Sequence, residues 1–202
     1  MNRVALGLDP APPPPPKPEP RVLGIDIENK PLWYGGGDFV YDRDICYSWK
    51  WVGKATFYTV WLDWRQDDET LVQLLTPIRK AIEAADYLLG HNFQHDWKGL
   101  RATFNHLKQP FLPDRPFIDT MRCLPGGMPR SLEWLSAHFG LPEKPHVGPH
   151  TWVDAIDRND GRAIALIKAR NRADVEITEH LYWKELELGW LKTPNEREAN
   201  RG

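Results

Sequence analysis

The sequence has little of what would mark a secreted or membrane protein. Its 202 residues include only two cysteines, Cys46 and Cys123, which offer neither a disulfide framework nor a zinc-ligand spacing. No apolar run approaches the ~20 residues of a membrane span, and the N-terminus lacks the apolar core of a secretory signal. These absences predict a soluble protein of a reducing cytoplasm. An excess of one charge is missing too, since 26 basic and 28 acidic residues leave a net charge of −2. So balanced a chain does not coat duplex nucleic acid through many phosphate contacts. An enzyme that grips a few nucleotides through metal ions stays open, because a charge count omits the ions. There is no internal repeat.

Aromatic residues, in contrast, are abundant: ten tryptophans, seven phenylalanines and six tyrosines. Most are expected in the core, because large rings dominate burial, while some could stack on bases. The run APPPPPKPEP favours polyproline II and cannot join a packed core. Residues 1–20 therefore read as a Pro-rich disordered tail, 21–192 as one domain and 193–202 as a flexible C-terminal tail.

RVLGIDIE carries apolar residues on both faces and predicts a central buried strand. KPLWYGGGDFV is a loop with three consecutive glycines. CYSWKWVG and TFYTVWLDW predict a hairpin, each strand antiparallel to its neighbour. Leu71, Leu74, Leu75, Ile78 and Ile82 then recur at helical spacing. Within that stretch Pro77 either kinks the helix or starts a new one capped by Thr76. DYLLGHN is a short buried strand, and HDWKGLRATFNHL a helix with Trp97, Leu100, Phe104 and Leu107 on its core face. PFIDTM is another strand. SLEWLSAHFG is a helix capped by Ser131 and stopped by Gly140. Leu141–Thr151, with three prolines and two histidines, reads as a loop, and about 160–190 as a long helix. This order implies an α/β sandwich with a mixed five-stranded sheet flanked by helices.

The chemistry starts at Asp26-Ile27-Glu28. Residues two apart on a strand share a face, so two carboxylates project together from an apolar strand. Such a pair either ends in solvent or surrounds a cation, because adjacent buried charges are costly unless something positive lies between them. Oxygen donors favour Mg²⁺ or Mn²⁺. Asp96, at the start of a helix, reads equally as a first-turn acid favoured by the helix dipole. Asp174, on the inward stripe of the last helix, reads equally as half of an Arg170–Asp174 helical pair.

In order along the chain these segments resemble the DEDD-type 3′→5′ exonucleases of the ribonuclease H-like (DnaQ-like) superfamily. GIDIE matches that family's strand-borne D-x-E. Asn92 to Asp96 matches its N-x-x-x-D, and Asp174, Val175 and Thr178 its helical D-V-x-x-T. DTMRCLPGGMPRSLEWLSAHFGL is similar to its D-T-x-x-L … S-L-x-x-L-x-x-x-F-G-L stretch. The Pro-, Trp- and Arg-rich style resembles exonucleases encoded by phages of high-GC bacteria, for which the location would be the host cytoplasm. One departure stands out. Arg170 and Ala169 occupy the positions of the family's tyrosine or histidine before the third aspartate, and arginine cannot serve as a general base.

The resemblance implies two Mg²⁺ or Mn²⁺ ions, roughly 4 Å apart. Asp26 would bridge them, Glu28 and Asp174 would complete the water-activating site, and Asp96 would help hold the second ion. It also implies removal of nucleoside monophosphates from single-stranded or frayed 3′ ends of DNA or RNA, with a separately acting DNA polymerase as proofreading partner. Without the tyrosine or histidine, three accounts remain. The metals suffice with Arg170 stabilising the phosphate; a loop histidine, His146 or His150, acts as base; or the domain is weakened and only binds nucleic-acid ends. Asn92, Trp33 and Tyr34 are candidates for substrate contact, the latter two in the Gly-rich loop just after Glu28. Trp97 fits the core better. A ribonuclease H-like endonuclease is a further alternative.

Overall fold

The computed structural model describes residues 19–29 and 44–193. Trp33, Tyr34, the glycines at 35–37, the Pro-rich stretch before residue 19 and residues 194–202 lie outside the described residues.

Strand β1 (Val22–Asn29) is the centre of a five-stranded sheet ordered β3-β2-β1-β4-β5. β2 (Asp44–Trp51) pairs antiparallel with β1, and β3 (Tyr58–Trp61) antiparallel with β2. β4 (Tyr87–Gly90) and β5 (Phe117–Asp119) add on the other side in parallel. The fold is therefore α/β with a mixed sheet, and the hairpin reading of the first three strands holds.

Alternation along β1 divides the molecule. Leu23, Ile25 and Ile27 point to one face and Val22, Gly24, Asp26 and Glu28 to the other. The first set packs in one core with Leu71, Leu75 and Ile78 of helix α1 (Asp68–Ala84) and Leu100 and Phe104 of helix α2 (Phe93–His106). Trp97 lies partly buried against the same core, stacked on Phe93. The second face is covered by the long helix α6 (Gly161–Glu187). It packs over Gly24 at ordinary contact distance, since a β-carbon there would stand 3.5 Å from Val175 Cγ1.

α1 runs through Pro77 as one helix. Its cap is Asp67, which accepts from the Thr70 N–H at 2.8 Å, and Thr76 instead donates its hydroxyl to the Val72 carbonyl at 2.9 Å. One lost backbone bond at proline is outweighed by Leu75, Ile78 and Ile82, which anchor both halves in the core. Beyond β5 come a short helix α3 (Thr120–Cys123) and helix α4 (Leu132–Phe139). Ser131 caps α4 and Gly140 ends it in the left-handed region at φ 64°, as the sequence predicts. The expected loop over Leu141–Thr151 is shorter than the reading. Helix α5 (Pro149–Ile156) begins inside it, with proline in the first turn where its missing N–H costs nothing. Among the described residues no helix is long and apolar enough to cross a membrane.

Candidate metal centre

The site forms where β1 outruns its parallel neighbour. β4 pairs with β1 only from Val22 to Gly24, so beyond that point one edge of β1 has no strand beside it. The chain leaves β4 through Asn92, which adopts the left-handed conformation at φ 60° and starts α2. Few non-glycine residues tolerate that region, and asparagine is one of them. Asp119 fixes the turn: its Oδ1 accepts from the Asn92 N–H at 2.9 Å and from the Met121 N–H at 3.1 Å. His91 ties the same corner down, its ring nitrogens 2.8 Å from Thr120 Oγ1 and 2.6 Å from the Arg130 carbonyl.

This turn sends Asp96, in the first turn of α2, to the vacated edge of β1, where the Ile27 backbone N–H hydrogen-bonds its carboxylate. α2 comes that close because position 99 is glycine. A β-carbon there would fall 2.5 Å from Ile27 Cδ1 and 2.7 Å from Asp44 Oδ1. Asp44 itself is buried and held by the hydroxyls of Tyr47 at 2.8 Å and Thr103 at 2.9 Å.

From the other face α6 delivers Asp174. Carboxylate oxygens of Asp26, Glu28 and Asp174 all lie within 4.8 Å of one another. Asp96 stands outside that trio but close enough that its charge raises the Asp26 pKa. The four predicted acids therefore converge, three as a tight group and the fourth at the strand edge.

Three α6 and loop residues surround the trio. Asn171, fully buried, donates its amide to Asp26 Oδ2 at 2.6 Å, and its carbonyl faces the Cys46 thiol at 3.5 Å. Arg170 does not form the helical pair with Asp174. Its Nε bonds Glu28 Oε1 at 3.1 Å and its Nη1 the Pro145 carbonyl at 3.4 Å. Asp174 is paired instead with Lys144, whose Nζ lies 3.0 Å from Oδ1 as an ion pair and 3.3 Å from Oδ2 as a hydrogen bond.

The electrostatics are those of crowded, buried carboxylates. Burial, and then the charges of Asp96, Asp174 and Glu28, hold the Asp26 carboxyl well above its ordinary range. Burial pushes Glu28 up to about 7, against the pull of the Arg170 guanidinium. Burial likewise raises Asp96 despite its bond from Ile27. Carboxylates so crowded become fully charged only with positive charge among them. Their hard oxygen donors suit Mg²⁺ or Mn²⁺, and Asp26, Glu28 and Asp174 are the residues that could hold such an ion.

Of the other predicted residues, Asn92 is exposed, with its backbone committed to Asp119. His146 lines a cavity of about 350 Å³ together with Lys144, Arg170 and Ser136. His150 is exposed in the first turn of α5 and does not line that cavity. Sequence reasoning did not single out Lys144, Asn171 or Gly99. Asn171 was within reach, since it lies three residues before Asp174 on the same helical face.

Neither a scan against protein-family models nor a search of curated proteins finds a match to this chain.

Proposed function

We propose that the protein is a metal-dependent 3′→5′ exonuclease that hydrolyses phosphodiester bonds at single-stranded or frayed ends. The observation that carries this reading is the convergence of Asp26, Glu28 and Asp174 within 4.8 Å of one another, with Asp96 bonded to Ile27 beside them. A mixed five-stranded α/β sheet with the acids on its central strand is compatible with a ribonuclease H-like fold. The ordered resemblance to DEDD exonucleases supplies the direction of cleavage.

On this reading Asp26, Glu28 and Asp174 hold a divalent ion and Asp96 contributes to a second. The ions would supply an acidified water and neutralise charge on the phosphate. The protein's own groups do the rest. Asn171 holds Asp26 Oδ2, which would leave the other oxygen for an ion. Arg170, always charged, stands at the family's tyrosine position beside Glu28 and would meet phosphate oxygens. Water attacks phosphorus, the bond to the 3′ oxygen of the preceding nucleotide breaks, and a nucleoside monophosphate leaves.

The test is Mn²⁺-dependent release of mononucleotides from a 3′-labelled oligonucleotide, with circular single-stranded DNA as control. Degradation of the circle would make the enzyme an endonuclease. A second reading, a weakened domain that only binds nucleic-acid ends, is favoured by Arg170 at the position where a tyrosine would orient water. Binding of the oligonucleotide without Mn²⁺-dependent cleavage would support it.

A further inference from the structure

Lys144 belongs to no predicted motif, yet among the described residues it is one of the two cations in direct contact with the acidic trio. It comes from the segment between α4 and α5, and its side chain is only 18% exposed. Its charge is felt by all three acids: it pairs with Asp174 and pulls the pKa of both Asp26 and Glu28 downward. An ammonium so placed stands for the positive charge that these carboxylates require.

The neighbouring cavity offers the same ammonium a second position. Its wall carries Glu133 and Glu143, both exposed, and Ser136. The Ser136 hydroxyl is buried and makes no hydrogen bond among the described residues. Lys144 lines this same cavity, and its flexible four-carbon stem with three donors lets Nζ turn from the carboxylates toward these acceptors.

We propose that Lys144 is an exchangeable counter-cation. It neutralises the trio when no metal is bound, and a divalent ion displaces it toward Ser136, Glu133 and Glu143. This rests on the metal-site reading above. Because linkage is reciprocal, whatever Lys144 contributes by pairing with Asp174 is subtracted from metal binding. The segment around Pro145, also held by Arg170, is thereby tied to the metal state of the site.

The experiment is a Mn²⁺ titration, followed by the paramagnetic resonance of free Mn²⁺, of the wild-type chain, Lys144→Met and Lys168→Met. Lys168→Met removes a charge from α6 without touching the trio. Lys144→Met is expected to bind Mn²⁺ at least about fivefold tighter, the low end of typical coupling, and Lys168→Met to change less than about twofold. In parallel, amine acetylation mapped by mass spectrometry should show Lys144 becoming more reactive with Mn²⁺, relative to the exposed Lys108. Equal Mn²⁺ affinity in wild type and Lys144→Met, or Lys144 reactivity indifferent to Mn²⁺, overturns the exchange and leaves the metal site standing. Failure of all three proteins to bind Mn²⁺ overturns the metal site itself.

Discussion

The side-chain amide of Asn171 donates to Asp26 Oδ2 at 2.6 Å, joining the first turns of the sequence's chemistry to its last helix. This contact selects which oxygen of Asp26 remains free. Asn171→Ala would leave that oxygen without its donor in a buried site. The expected loss is about 1–3 kcal/mol of stability and roughly 10- to 100-fold in Mn²⁺ affinity, as for other groups that orient a metal ligand. Asn171→Asp, which keeps the volume but sets a fourth carboxylate against Asp26, should lower the metal-free melting temperature further, since like charges in contact disfavour the folded state. Melting curves and a Mn²⁺ titration check both, and unchanged Mn²⁺ affinity in Asn171→Ala would remove the positioning role.

Asp26→Asn should separate stability from function. Asp26 is disfavoured as an anion through burial and three neighbouring carboxylates. Neutralising it should raise the metal-free melting temperature by at least about 2 °C while abolishing Mn²⁺ binding and mononucleotide release. A lower melting temperature in EDTA would contradict the crowding described for the site.

Gly99 is a spacer. A β-carbon at this position meets Ile27 Cδ1 at 2.5 Å and Asp44 Oδ1 at 2.7 Å, so in Gly99→Ala either these two buried side chains or α2, which carries Asp96, must shift. About 1–3 kcal/mol of destabilisation is expected, as for overpacked cores. Gly126→Ala, with nothing within 4 Å of the added carbon, should stay within about 0.5 kcal/mol of wild type. Equal melting of the two variants would refute the close approach.

The pH dependence follows from Glu28, whose pKa rises from 4.5 to about 7 on folding. Between those values the unfolded chain has released the proton and the folded chain has not. The folded state therefore binds more protons, and its contribution to stability falls as pH rises across that window. Metal-free melting temperatures should decline from pH 5 to 7.5, and Glu28→Gln should make the decline shallower. Mn²⁺, which must expel the same proton, should bind more tightly over the same range. A wild-type profile that rises with pH, or one that Glu28→Gln leaves unaltered, would show that Glu28 ionises freely.

The elements that are legible in the sequence are those with a local cause. β1 is readable because its apolar run is continuous, α4 because Ser131 and Gly140 bracket it, and α6 because its period persists. The Asp26–Glu28 pair is readable for the same reason, since strand alternation places both acids on one face whatever surrounds them. α5 is not readable, because Gly148 offers its first turn no side-chain cap and the prolines around it look like a loop. Pro77 misleads in the opposite sense, since tertiary anchoring by Leu75 and Ile78 overrides a local breaker. Lys144, Asn171 and Gly99 escape because their importance lies in what approaches from elsewhere in the chain. No spacing announces an ammonium that reaches Asp174 across 30 positions.

The same long reach sets a timetable. Asp26 and Glu28 leave the ribosome early, yet the residue that orients one of them lies 145 positions later, and Asp174 follows it on α6. Until that final helix docks on β1, the first two acids have neither their third partner nor the amide that aims them. The acidic trio therefore assembles only after α6 has been made, and a nascent chain that ends before it carries Asp26 and Glu28 without Asp174 or Asn171.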